Sequence, residues 1–233
     1  MSSACNKSAV VVLGRARPDE TPAGDERAAA ARHCVGGGRI DGVADPRSLT
    51  SVVLVIGTSA DAGTDAVTRA LVAVVRERGS SVTTVTTGPG SGPAAAVVKQ
   101  VSAAAAETEV VLVDGSGGLL AWLDSHGSTL ADAGTGLRYK GVGCGVVLAT
   151  GVGPGALNAA ALTVEALGTR SLPLLGAVVG AWPDDADAAA EQVALDLPKV
   201  TGVPLWGRLP RGAEQLPAGD FDAAVPTWLG LDD

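Results

Sequence analysis

From Ser51 onward, short uninterrupted apolar runs alternate with stretches in which apolar residues recur every three or four positions. Val52–Ile56 predicts a buried strand. Asp65–Arg78 places Val67, Ala70, Leu71, Val74 and Val75 on one face and predicts a helix that Gly79 stops. The same reading predicts strands at Val82–Thr86, Val110–Val113, Val146–Ala149, Leu174–Val179 and Pro204–Gly207. Helices are predicted at Pro93–Ala106, Thr129–Leu137, Leu157–Thr169, Asp187–Leu197 and Phe221–Leu229. Strands interleaved with helices of about 10–15 residues build βαβ units, so the expected fold is α/β, with a mostly parallel sheet flanked by helices. In such sheets ligands bind beyond the carboxyl ends of the strands.

Residues 1–50 break this pattern. Their one strand-like run is Ala9–Gly14, followed by Pro, Gly, Ala and Arg without periodicity. No apolar core of a signal peptide precedes a cleavage site, and Asp19, Glu20, Asp25 and Glu26 do not suit an organelle transit peptide. We expect residues 1–50 to be a disordered or misassigned leader and 51–233 to form the domain.

The chain has 233 residues, of which 46% are hydrophobic, enough to bury a full core. Its formal net charge of -8 argues against a nucleic-acid partner, which wants a basic stripe. The 3 cysteines, Cys5, Cys34 and Cys144, have neither metal-type spacing nor an even count, so a cytoplasmic location is expected. Gly141–Val164 carries no charge, but its glycines, Pro154 and Asn158 suit a buried strand, a turn and a helix start rather than a membrane span.

Candidate chemistry begins at the turn after the first strand, Thr58–Gly63, which leads into Thr64 and Asp65. In the phosphate loop G-x-x-x-x-G-K-[ST], backbone N–H groups cradle phosphates, the lysine reaches the outer phosphates and the hydroxyl binds Mg²⁺. Here Thr64 stands at the lysine position and Asp65 at the hydroxyl position. Helix-end N–H groups can hold an anion without the lysine, and a bound Mg²⁺ would make Asp65 favourable instead of repulsive. An ordinary strand-to-helix turn capped by Thr64 is the competing reading. Asp114 ends the strand at Val110–Val113 and is followed by Gly115, Ser116 and Gly117, the placement of a second Mg²⁺ ligand next to a phosphate; a strand-ending Asp-Gly turn is the alternative. His33 and His126 have no partners that suggest acid–base or metal work, and Asp184-Asp185 reads as helix-start chemistry. A dinucleotide-binding turn is disfavoured, since no glycine stands between Gly57 and Gly63 and no acid closes the next strand.

Several segments, in order, resemble the dethiobiotin synthetase family. VIGTSADAG (Val55–Gly63) is similar to its nucleotide loop, Leu112–Leu123 to its V-E-G-A-G-G-L-L segment, and Ser128–Asp132 to its T-L-x-D segment. Gly151–Leu167 resembles its G-x-L-N-x-x-x-L-T-x-E-A-L stretch. Gly176–Asp185 and Val200–Ala213 resemble its nucleotide-base region, most closely in the actinobacterial branch. The resemblance implies a doubly wound, P-loop-like sheet of seven strands and a homodimer. It implies the reaction of 7,8-diaminononanoate, CO₂ and ATP to dethiobiotin, ADP and phosphate: the diamine forms a carbamate, the carbamate is phosphorylated, and the second amine closes the ring.

By position, the resemblance assigns phosphate binding to Asp61, Ala62, Gly63, Thr64, Asp65 and Ala66. It assigns Mg²⁺ binding to Asp65 and Asp114, with Gly115, Ser116 and Gly117 beside the nucleotide, and base contact to Leu209, Pro210 and Arg211. No residue inherits a catalytic side-chain role. The family's second lysine, in K-P-x-x-T-G, has no counterpart in Val82–Gly88, where only Thr87-Gly88 align. The stretch from there to Val110 is shorter than in the family and would lack a further metal-binding Asp and part of the diamine site. Two readings follow: an ATP-dependent ligase with weakened phosphate stabilisation, or a non-catalytic paralogue used for binding or regulation.

Overall fold

The computed structural model describes residues 51–230. The Ala9–Gly14 run, Cys5, Cys34 and His33 lie outside the described residues. The elements are β1 (Val52–Gly57), α1 (Thr64–Glu77), β2 (Val82–Thr87), α2 (Ala94–Glu107), β3 (Val110–Gly115) and α3 (Leu130–Tyr139). They continue with β4 (Cys144–Thr150), α4 (Ala156–Thr169), β5 (Leu174–Trp182), α5 (Ala188–Thr201), β6 (Leu205–Pro210) and α6 (Ala218–Leu229). Among the described residues the sheet has 6 strands in the order β2-β3-β1-β4-β5-β6, every neighbouring pair parallel, one strand fewer than the resemblance implied.

This order dictates the layering. The chain passes from β1 to β2 in one direction and makes every later crossover in the other. Right-handed connections therefore put α1 on one face and α2 to α5 on the opposite face. The core divides accordingly. Val52, Leu54 and Ile56 of β1 pack with Val97, Val98, Leu130, Leu137, Leu167 and Leu197. Val53 and Val55 pack with Leu71 and Val74 of α1 and with Phe221, Val225 and Leu229 of α6.

Side-chain caps start two of the helices. Thr129 and Asp132 form a reciprocal capping box at the start of α3. At α5 the cap is Asp187, whose carboxylate accepts the Ala190 N–H at 2.8 Å, so Asp184 and Asp185 lie in the turn before the helix. That helix was expected to stop at Leu197, before Pro198, but runs on to Thr201. A proline in the last turn removes a single N–H, while its carbonyl still accepts from the Gly202 N–H at 3.0 Å, with Gly202 left-handed at φ 73°. The uncharged Gly141–Val164 stretch divides into β4, a turn and the start of α4; among the described residues no helix is long and apolar enough to cross a membrane.

Candidate functional site

β1 lies between β3 and β4, with the chain leaving it for the β2 edge and later returning from β3 to β4 on its other side. The carboxyl ends of β1 and β3 therefore flank the reversal of strand order, where α/β sheets form a crevice. Val55 is paired with Asp114 and Ile56 with Gly115, so the Thr58–Gly63 turn and the Asp114 turn emerge side by side.

The Thr58–Gly63 turn is anchored at both ends. The Thr58 N–H donates to the Ala149 carbonyl at 3.0 Å, and the Thr58 hydroxyl donates to Thr150 Oγ1 at 3.0 Å. Within it, the Ala62 N–H donates to Ser59 O at 3.3 Å. Gly63 is the N-cap of α1 at φ 70°, ψ 37°, with no side-chain cap. The competing expectation of a turn capped by Thr64 is thus corrected: Thr64 is the first helical residue. Its Oγ1 turns back towards Gly57, only 2.7 Å from where a Cβ on that glycine would stand. The Thr64, Asp65 and Ala66 N–H groups precede the first intrahelical bond, Val67 N–H to Gly63 O, and point outwards at the positive end of the helix.

Side chains alternate along β3. Val111 and Val113 face the α2–α5 layer and Leu112 faces α1, so Asp114 shares the α1 side with Asp65. One oxygen of Asp114, Oδ1, is buried without a hydrogen-bond partner. Burial first, and then the Asp65 charge, raises the Asp114 pKa above its ordinary value. A buried orphan oxygen beside a second carboxylate is a poor arrangement for protein alone, and a hard cation with oxygen preference satisfies both groups. The donors present therefore fit Mg²⁺. Beyond Asp114, the Ser116 hydroxyl and N–H both donate to Thr87 O, at 2.8 and 3.1 Å, tying this turn to β2. Gly117 and Gly118 have φ of 97° and 96°, and a Cβ on Gly118 would lie 3.0 Å from Gly57 O.

The proposed base residues sit farther along the same edge. Pro210 pairs with Trp182, and the Arg211 N–H donates to Trp182 O at 2.8 Å. Leu209 is fully buried in the α1–α6 core, so it shapes this edge through packing. Arg211 is exposed and lines a cavity of about 450 Å³ with Gly153, Gly155, Asn158, Pro183 and Asp187. Asp61, also exposed, has its pKa lowered by hydrogen bonds from Ser59 and its own backbone N–H, and further by the Arg211 charge.

Three contributors escaped the sequence reading. Gly180 packs against Gly63, Thr150 holds Thr58, and Arg208 lies 4.2 Å over the Trp182 ring while pairing with Glu191 at 2.7 Å. Gly180 and Arg208 fall within the segments Gly176–Asp185 and Val200–Ala213 that resemble the nucleotide-base region, but nothing in the sequence singled out these two residues. The expected bystanders stay apart from the site. Asp124 Oδ1 accepts the His126 N–H at 2.9 Å in an exposed turn, and burial pushes the Cys144 thiol up to about 12.

Comparisons with known proteins bear on the family and the fold. Residues 91–216 match a family described as an AAA domain. The chain is 35% identical over 223 residues to the ATP-dependent dethiobiotin synthetase BioD of Rhodococcus jostii, covering 77% of this chain and 94% of that protein. It is 45% identical over 125 residues to the protein of the same name from Streptomyces coelicolor, a match that spans 54% of this chain but only 50% of that relative. Among solved structures, chloroplast FtsY from Physcomitrella patens superposes with a TM-score of 0.50 at 17% identity, over 76% of this chain and 66% of that one, a likeness of fold.

Proposed function

Because the chain belongs to the dethiobiotin synthetase family, we propose that it catalyses ATP-dependent closure of the dethiobiotin ring from 7,8-diaminononanoate and CO₂, with a weakened phosphoryl-transfer step. The observation that carries this reading is the pairing of the outward N–H groups of Thr64–Ala66 with the orphaned Asp114 carboxylate across neighbouring strand ends. The backbone of Asp61 to Ala66 binds the phosphates, and Asp65 and Asp114 hold Mg²⁺. When bound, that cation neutralises charge on the phosphates. Gly115, Ser116 and Gly117 form the neighbouring wall, and Leu209, Pro210 and Arg211 flank the base. The Thr58 and Gly63 anchors keep the loop in one shape, so little reorganisation is needed when an anion arrives.

Thr64 offers a hydroxyl where the family offers an ammonium. Loss of one such charge stabiliser costs about 3 kcal/mol, or roughly 100-fold to 1000-fold in rate. The protein works as a cytoplasmic homodimer: Leu120 and Leu162, 46% and 58% exposed, line one groove of about 250 Å³, and Trp122 beside them is 66% exposed. Expression in a biotin auxotroph lacking its synthetase tests the reading. Slow rescue, lost on Asp114→Ala, is expected; failure of well-expressed soluble protein to rescue overturns it.

A non-catalytic paralogue is the second reading. It is favoured by the Thr64 side chain turned in towards Gly57 and by the lack of a lysine in either α1 or β2. It expects nucleotide binding without turnover.

A further inference from the structure

The Thr58–Gly63 loop contains no cationic side chain, yet a nucleotide triphosphate would add several negative charges beside Asp61, Asp65 and Asp114. Most cations among the described residues are committed elsewhere. Arg69 donates to the carbonyls of Glu214 and Leu216, each at 3.1 Å, and lies over Phe221. Arg138 donates to Ser171 O, Arg170 to Ala166 O, Lys199 pairs with Asp196 and Arg208 with Glu191. Arg76 and Arg78 at the end of α1, and Lys140 at the end of α3, lie at the opposite edge of the sheet, because the helices run antiparallel to the strands. Lys99 is exposed within α2.

Arg211 is different. It follows the carboxyl end of β6, its backbone is pinned by the bond to Trp182 O, and its exposed side chain has no hydrogen bond or ion pair. Two residues before Trp182, Gly180 packs directly on Gly63, which brings the β5–β6 end close to the phosphate loop. The influence of Arg211 on Asp61 is the electrostatic sign of that approach. A guanidinium presents a rigid fork of donors matched to phosphate oxygens, which an aromatic base does not need.

We propose that Arg211 binds the phosphates of the nucleotide, supplying from β6 the positive charge that the loop lacks at Thr64. The inference rests on the nucleotide-site reading above and replaces a base contact by a phosphate contact. Titration calorimetry of the full chain with Mg²⁺-tripolyphosphate, which has no base, and with Mg²⁺-ATP tests it. Arg211→Ala should weaken both ligands by a similar factor, roughly 10-fold to 100-fold, and Arg211→Lys should recover part of the loss. Loss confined to ATP would show a base contact and overturn the inference, as would unchanged binding of both. If the unaltered protein binds neither ligand, the nucleotide-site reading falls as well. Binding by the unaltered protein that Arg211→Ala retains sinks this inference alone.

Discussion

Gly63, the last residue of the Thr58–Gly63 turn, packs backbone to backbone against Gly180 of β5; a Cβ on Gly63 would run into the Gly180 carbonyl, and one on Gly180 would meet Ala62 O and Gly63 O. This contact locks the loop to the far half of the sheet. Gly180→Ala should cost about 1–3 kcal/mol from overpacking, lowering the melting temperature by roughly 2–12 °C, and should weaken nucleotide binding with it. Thermal denaturation with and without nucleotide checks both. An unchanged melting temperature would mean that the two backbones are not in contact.

The loop's chemistry can be restored independently of its shape. Thr64→Lys combined with Asp65→Thr rebuilds the lysine and hydroxyl, and steady-state phosphate release should rise by about 100-fold if charge stabilisation is what the chain lacks. The single Thr64→Lys change should gain less, since Asp65 would draw the new ammonium away from the phosphates.

Asp114 makes a prediction with a definite sign. Burial and the Asp65 charge raise its pKa in the folded chain above the ordinary 3.8. The folded state therefore holds the extra proton in the window above that value, and the stability of the metal-free protein falls as pH rises through it. Asp114→Asn removes this penalty. At neutral pH it should raise the melting temperature, with the gain vanishing as pH drops below the window. Added Mg²⁺ should stabilise the unaltered protein and leave Asp114→Asn unmoved.

The exposed Leu120–Leu162 groove is the proposed subunit contact. Leu162→Glu puts a charge on this face and should convert dimer to monomer in sedimentation or light scattering. Because Leu162 is 58% exposed, the melting of the monomer itself should change by less than about 1 kcal/mol.

Much of the fold was legible because its strands are buried on both faces. Val52–Ile56 and Val110–Val113 read as continuous apolar runs, as central parallel strands must. The edge strand Val82–Thr87 was readable from its β-branched residues. The expected helix end at Leu197 fell short of Thr201, because Pro198 is tolerated inside the last turn. The Gly63–Gly180 contact was invisible, since it joins residues more than a hundred positions apart that carry no shared pattern, while the nearness of Arg211 to Asp61 was implied only by the resemblance, which placed both at one nucleotide. Asp65 and Asp114 were legible as candidates from their place beside glycines at strand ends. Their mutual charge effect needed the register of Val55 against Asp114.

In the proposed function an altered phosphate loop still serves dethiobiotin synthesis. Phosphate release from Mg²⁺-ATP by purified protein, measured with and without 7,8-diaminononanoate and bicarbonate, tests it most directly. Slow release that requires both the diamine and bicarbonate, and that is lost in Asp114→Ala, is expected. Tight nucleotide binding with no diamine-dependent release would contradict it.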